Sequence, residues 1–151
     1  MNERIIFLDY DGVINIDPTN FNGYFDNPEA IRFLNKLCKD FEFEIVVTSS
    51  WRQHPEYKNY LYDSGLYKEI NIIGGTEISN QGREFEIKNY LNDHPEIEEY
   101  LIIDDAFLPG ELCRHLVQTT FTKGFNENKY KEALSKMEAL YNKTLINEDF
   151  E

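Results

Sequence analysis

Basic residues are scarce in this chain. Fifteen Lys and Arg stand against 28 Asp and Glu, a formal net charge of −13. Such a balance excludes a broad, sequence-independent grip on nucleic-acid backbone, which needs a basic footprint. It still admits a single phosphorylated end to a pocket where a cation cancels the charge. Cysteine is equally sparse. Cys38 and Cys113 have no CxxC spacing, so the expectation is two reduced thiols in or near the core, not a metal or redox pair. His54, His94 and His115 lack the spacing of a ligand set and are given no role. Long apolar runs are missing too: no segment approaches the roughly 18 residues of a membrane span. The opening "MNERIIFLDYDG" has four apolar residues before it meets aspartate, too few for the apolar region of a secretion signal. The expected setting is the cytoplasm, with no membrane partner.

What is present is an ordinary globular composition. The 151 residues, 41% hydrophobic and 15% aromatic, make one domain with a sizeable core the simplest expectation, over about residues 1–143, with 144–151 as a frayed acidic tail. Apolar runs alternate with helical patterns, which points to βαβ units. Strands are expected over about 4–9, 43–48 and 70–73, then in "EYLIIDDA" and "RHLVQTT". Helices are expected from Asn27-Pro28, with Asn27 as cap, from about 55 to Gly65, over about 82–93, and in "NENKYKEALSKMEALYNK". In the 82–93 helix the expected buried positions are Phe85, Ile87 or the stem of Lys88, Tyr90 and Leu91. The predicted fold is a Rossmann-like three-layer α/β/α sandwich around a mostly parallel sheet of about five strands.

Within that frame, "IIFLDYDGVIN" is unusual. Ile5 to Leu8 read as a strand covered on both faces, yet the run ends in Asp9 and Asp11 with Gly12 behind. The second strand ends in Thr48-Ser49-Ser50 and the fourth in Asp104-Asp105. A parallel sheet sets these ends side by side, at the edge where open α/β sheets bind ligands. Carboxylates so close resist ionisation unless a cation or a shared proton relieves them. Oxygen ligands without nearby His or Cys favour Mg²⁺ over zinc, leaving open Mn²⁺ in its place. Thr48 and Ser49 add donors suited to phosphate oxygens. A carboxylate nucleophile, a neutralising metal and phosphate-holding donors together suggest phosphoryl transfer.

These motifs resemble those of the haloacid dehalogenase (HAD) superfamily of phosphohydrolases. The resemblance implies that Asp9 is the nucleophile forming an aspartyl-phosphate and Asp11 the general acid and base. It implies metal ligation by Asp9, Asp11 (through its carbonyl), Asp104 and Asp105, and a phosphate contact from Thr48, with Ser49 and Gly12 close by. The third motif requires a Lys or Arg, and both Arg83 and Lys88 qualify. Arg83 is nearer the start of its helix, and therefore nearer the sheet edge where the site should lie. A closer similarity runs through "FLDYDGVIN", "VVTSSWR", "GREFEIKNYLNDHP", "YLIIDDA" and "TTFTKGFNENKYKEAL" to small HAD domains grouped with RNA-repair proteins. Arg52 could reach a second phosphate or a base, or serve as an internal salt bridge; Trp51 is either a packing residue or a stacking platform.

Neither 12–27 nor the segment between Thr48 and Arg83 is long enough for an inserted cap domain. The site is therefore expected to be open, and such members act on large substrates or close the site with a partner subunit, so a homo-oligomer is possible. "NIDPTNFNGYFDN", with Phe21, Tyr24 and Phe25, is either a flap over the substrate or a loop packed on the core. The expected function is a Mg²⁺-dependent phosphomonoesterase acting on a phosphorylated small molecule, a nucleotide or a nucleic-acid end. The alternatives are a non-catalytic metal-binding module of the same fold, and a phosphotransferase or receiver domain. The last expects a Lys at the end of the final strand, whereas Lys123 lies well beyond it.

Overall fold

The computed structural model describes residues 3–18 and 23–144. Phe21 and most of the acidic tail lie outside them. At the centre is β1 (Glu3–Leu8), whose Ile5, Ile6, Phe7 and Leu8 are all fully buried. A strand apolar on both faces needs cover on both, and the alternation of side chains decides which cover each meets. Ile6 and Leu8 join the larger core with α1 (Pro28–Phe41), α2 (Tyr57–Asp63) and α4 (Glu127–Tyr141). Ile5 and Phe7 face the other way, onto Ile87 of α3 (Arg83–Asp93) and Leu112 of a 3₁₀ turn at Gly110–His115.

Four further strands complete the main sheet: β4 (Glu44–Val47), β5 (Ile72–Gly75), β6 (Ile97–Asp104) and β7 (Leu116–Gln118). Their order is β5-β4-β1-β6-β7, every pairing is parallel, and helices cover both faces. The architecture is the expected three-layer Rossmann-like α/β fold. Because the chain winds outward from β1 in both directions, β1 is flanked by β4 and β6, and the crevice of a doubly wound sheet opens beyond its C-terminal end.

Some local expectations are corrected. Asn27 does not cap α1 with its side chain; it is Asn126 whose Oδ1 accepts from Lys129 N at 3.0 Å, at the start of α4. The third main-sheet strand sits two residues later than its apolar run, because Gly74 and Gly75 pair with Val46 and Val47. Arg114 and His115 belong to the 3₁₀ turn instead of the last strand. Phe85 is exposed while Glu86 is buried, so α3 turns an acid inward.

No inserted cap is present among the described residues. Among the described residues the segment after β1 holds a short antiparallel ribbon, β2 (Asn15–Ile16) with β3 (Phe25–Asp26), where the sequence predicts a loop. Tyr24 and Phe25 are 46% and 54% exposed and so are not packed into the core. Among the described residues no helix is long and apolar enough to cross a membrane.

The loop from β7 to α4 closes against the turn after β1 through Phe125 N donating to Val13 O at 2.8 Å. Gly124 makes this possible: its φ is +64°, and a Cβ there would fall 2.6 Å from Val13 O. Gly124→Ala is expected to cost about 1–3 kcal/mol through backbone strain and that clash, measured by urea unfolding. An unchanged midpoint would show that the two loops do not need this approach.

Candidate active site

The C-terminal ends of the strands are stitched together by backbone hydrogen bonds before any side chain contributes. Asp9 N donates to Ile103 O at 3.0 Å, Thr48 N to Leu8 O at 2.8 Å, and Thr119 N to Asp104 O at 2.9 Å. The Thr119 hydroxyl adds a buried 2.6 Å bond to the Gly12 carbonyl. These bonds hold Asp9, Thr48 and Asp104 in one rigid row. Between the two aspartates that follow β1, Tyr10 turns into the core and its hydroxyl donates to Tyr57 O at 2.8 Å. The pleat therefore sends the carboxylates away from the core that Tyr10 fills.

Asp9, Asp104 and Asp105 converge, each offering an oxygen within 4.8 Å of the others'. Asp104 is fully buried and Asp9 nearly so. Gly12 lets Asp105 come close: its φ is +83°, and a Cβ there would meet Asp105 Oδ2 at 2.4 Å. Gly12 thus shapes the site by what it lacks, whatever its own contact with substrate.

The electrostatics follow from this crowding. The Asp9 carboxyl is pushed up to about 8, by burial first and then by the Asp104 charge, while Arg83 pulls the other way. Asp105 is also raised, again by burial first and then by Asp104. Arg83, at the first turn of α3, is the cation in the group. Its Nη1 bonds Asp104 Oδ2, lies 3.8 Å from Asp9 Oδ2, and its Nε lies 3.8 Å from Glu86 Oε1. Burial works against its charge, but Asp104, Asp9 and Glu86 outweigh that and hold it above its usual value.

Other residues singled out in the sequence fall in different places. Lys88 is on the surface, its side chain 53% exposed and paired with Glu84 at 2.8 Å, so the structure brings Arg83, not Lys88, to the carboxylates. Arg52 lies inside the protein. Its Nε donates to Thr76 O at 2.7 Å, its Nη1 to Thr48 O and Ser49 O at 2.6 and 2.7 Å, and its Nη2 lies 3.0 Å from Glu86 Oε1. These contacts spend its donors on the fold, which corrects the expectation of a substrate contact in favour of the internal salt bridge. The Ser49 hydroxyl oxygen accepts from Trp51 N at 3.1 Å, capping the 3₁₀ turn Ser50–Gln53. Asp11 stands outside the acidic cluster, its Oδ1 accepting from Asn15 Nδ2 at 2.9 Å and from Trp51 Nε1 at 3.0 Å.

Thr48 is fully buried, yet its hydroxyl has no hydrogen-bond partner among the described residues. A buried orphan hydroxyl costs stability, and beside clustered carboxylates it fits a site built for an oxygen-rich ligand. Three hard oxygen donors likewise fit a divalent ion of the Mg²⁺ type. Glu86, Asn15 and Thr119 were not singled out by sequence. Glu86 alone had a signal, since its i+3 spacing from Arg83 sets both on one side of the helix.

A doubly wound parallel sheet carrying an aspartate pair after its first strand, a buried threonine after its second and two more aspartates after its fourth defines a HAD-type Rossmann-like domain. The chain belongs to the family described as the HAD domain in Swiss Army Knife RNA repair proteins, which it matches over residues 5–130. Among curated proteins and solved structures nothing matches it.

Two outcomes are expected. Arg52→Met should lose about 3–5 kcal/mol, because it strands buried Glu86, and adding Glu86→Gln should recover part of the loss; a single variant as stable as wild type would refute the internal role. The second concerns pH. The folded chain binds the Asp9 proton up to about 8 against a usual value of 3.8, so between those limits the folded state holds more protons and loses stability as pH rises. A cation that replaces this proton should reverse the trend. The rise in Tm on adding Mg²⁺ should thus be larger near pH 8 than near pH 5, at about equal ionic strength, and an equal rise at both would exclude the coupling.

Proposed function

We propose that this domain is a Mg²⁺-dependent phosphomonoesterase working through an aspartyl-phosphate on Asp9. The observation that carries the reading is the Asp9–Asp104–Asp105 cluster, with Asp9 and Asp104 buried and Arg83 inserted into it. An Asp9 kept protonated by burial and by the Asp104 charge is a poor nucleophile, and a cation beside it would favour its carboxylate form. Asp9, Asp104 and Asp105, with the Asp11 carbonyl, would hold the ion; when bound, it supplies charge neutralisation to the carboxylates and the phosphoryl oxygens. The Asp9 carboxylate attacks phosphorus as the bond to the leaving oxygen breaks, and Asp11 gives that oxygen its proton. Asp11 then takes a proton from water, which attacks phosphorus, releases inorganic phosphate and restores Asp9. The Thr48 hydroxyl and Arg83 hold the phosphoryl oxygens during both transfers.

For the substrate, we favour a nucleotide or the phosphorylated end of a nucleic acid. The family's association with RNA repair supports this, as does the lack of a cap over the crevice among the described residues. The charge of −13 favours contact with an end over a long backbone groove. The site would then be reached from cytoplasmic solution, either directly or beside a second subunit.

The test is phosphate release, with and without Mg²⁺, from p-nitrophenyl phosphate, mononucleotides and 3′- or 5′-phosphorylated oligonucleotides. Asp9→Asn should abolish Mg²⁺-dependent release with the fold intact, and Asp11→Asn should lower kcat by about 10² or more. An Asp9→Asn protein that turns over at the wild-type rate would overturn the mechanism. No release from any substrate, with Mg²⁺ still raising Tm, would favour the non-catalytic metal-binding module.

A further inference from the structure

Asp11 is gripped unusually for a residue that must exchange protons. Its two donors come from different parts of the chain and converge on one oxygen, Oδ1: Asn15 Nδ2 at 2.9 Å and Trp51 Nε1 at 3.0 Å. The other oxygen, Oδ2, takes no hydrogen bond from the described residues. Both donors are themselves locked. Asn15 is buried, and its Oδ1 accepts from Gly12 N at 3.1 Å, so its amide cannot flip without losing both bonds. The Trp51 indole stacks on Tyr60 at 4.8 Å and 19°, and packs against Tyr10 at 5.9 Å. Tyr60 is tied in turn, its hydroxyl donating to Asp26 Oδ1 at 3.0 Å.

We propose that Trp51 and Asn15 are positioning residues for Asp11. They pin Oδ1 and leave Oδ2 as the oxygen that gives its proton to the leaving group and regains one from water. Both donors are neutral, so they orient the carboxyl without adding a charge to the site. This inference rests on the phosphomonoesterase reading above and adds to it the means by which the acid is aimed.

A merely structural tryptophan would slow all substrates alike. A residue that aims the acid should matter most where the leaving oxygen needs a proton. The experiment compares kcat/KM for glycerol phosphate, whose alkoxide must be protonated, with p-nitrophenyl phosphate, whose phenolate leaves without help. In Trp51→Phe, which keeps an aromatic ring and removes the N–H, the first should fall about tenfold and the second less than about twofold. The ratio is taken within one preparation, so the fraction of folded protein cancels. Asn15→Ala removes the other donor and should shift the ratio in the same direction, which keeps the test decisive if the tryptophan variant folds poorly. Equal loss on both substrates, or no loss on either, overturns the positioning role while leaving the enzyme reading intact. A wild-type protein with no Asp9-dependent release from either substrate overturns both.

Discussion

The structure is organised around the cost of holding three carboxylates, two of them buried, with oxygens within 4.8 Å of one another. Like charges at this distance in a poorly solvated crevice repel strongly, and the chain answers with an alternating series of charges. Asp104 and Asp9 meet Arg83; Arg83 meets Glu86; Glu86 meets Arg52; and Arg52 ends on the carbonyls of Thr48, Ser49 and Thr76. Glu86 also accepts from Ser79 N at 2.8 Å, which ties the loop before α3 into the same series. The relay runs from the end of β6, across the first turn of α3, to the ends of β4 and β5. Removing any internal member strands a buried charge, so the relay acts as a unit.

The fold supplies the positions that this series requires. Parallel strands end at one edge, and bonds such as Thr48 N to Leu8 O and Thr119 N to Asp104 O hold those ends in register. Backbone glycine then provides the close approaches that side chains would prevent. Gly12 brings Asp105 against the turn after β1, and Gly124 brings the β7–α4 loop against Val13. The acidic cluster is therefore a property of sheet topology combined with two positions that lack a Cβ.

Much of this was legible in the sequence, for identifiable reasons. The parallel sheet showed in apolar runs that each led into aspartates or hydroxyls at their C-terminal ends. Arg83 followed from the direction of a crossover helix. What was not legible depended on tertiary pairing. Arg52 was readable as a phosphate ligand or an internal ion pair, and only the inward turn of Glu86 decides between them. The two-residue strands Asn15–Ile16 and Phe25–Asp26 are too short to have a period. The shift of β5 onto Gly74 and Gly75 ran against strand propensity, because pairing with β4 outweighed side-chain preference. The Trp51–Asp11 bond joins residues forty positions apart and has no local signature.

The charge balance also sets what a ligand would change at the site. Three carboxylates and the Arg83 guanidinium leave two net negative charges in the crevice, counting every acid as ionised. In that state an anion is repelled, and part of the repulsion is relieved by a proton on Asp9, which would disable it in the nucleophilic role proposed for it. A divalent cation held by these carboxylates would cancel both charges, leaving Asp9 ionised and Arg83 able to share its hydrogen bonding between Asp104 and an anion. The orphan hydroxyl of Thr48, buried at the same edge with no protein partner among the described residues, would find its acceptor on a bound anion. Electrostatic repulsion, the proton held on Asp9 and the unsatisfied donor are thus three consequences of one arrangement, and a hard cation with a phosphoryl group would relieve all three.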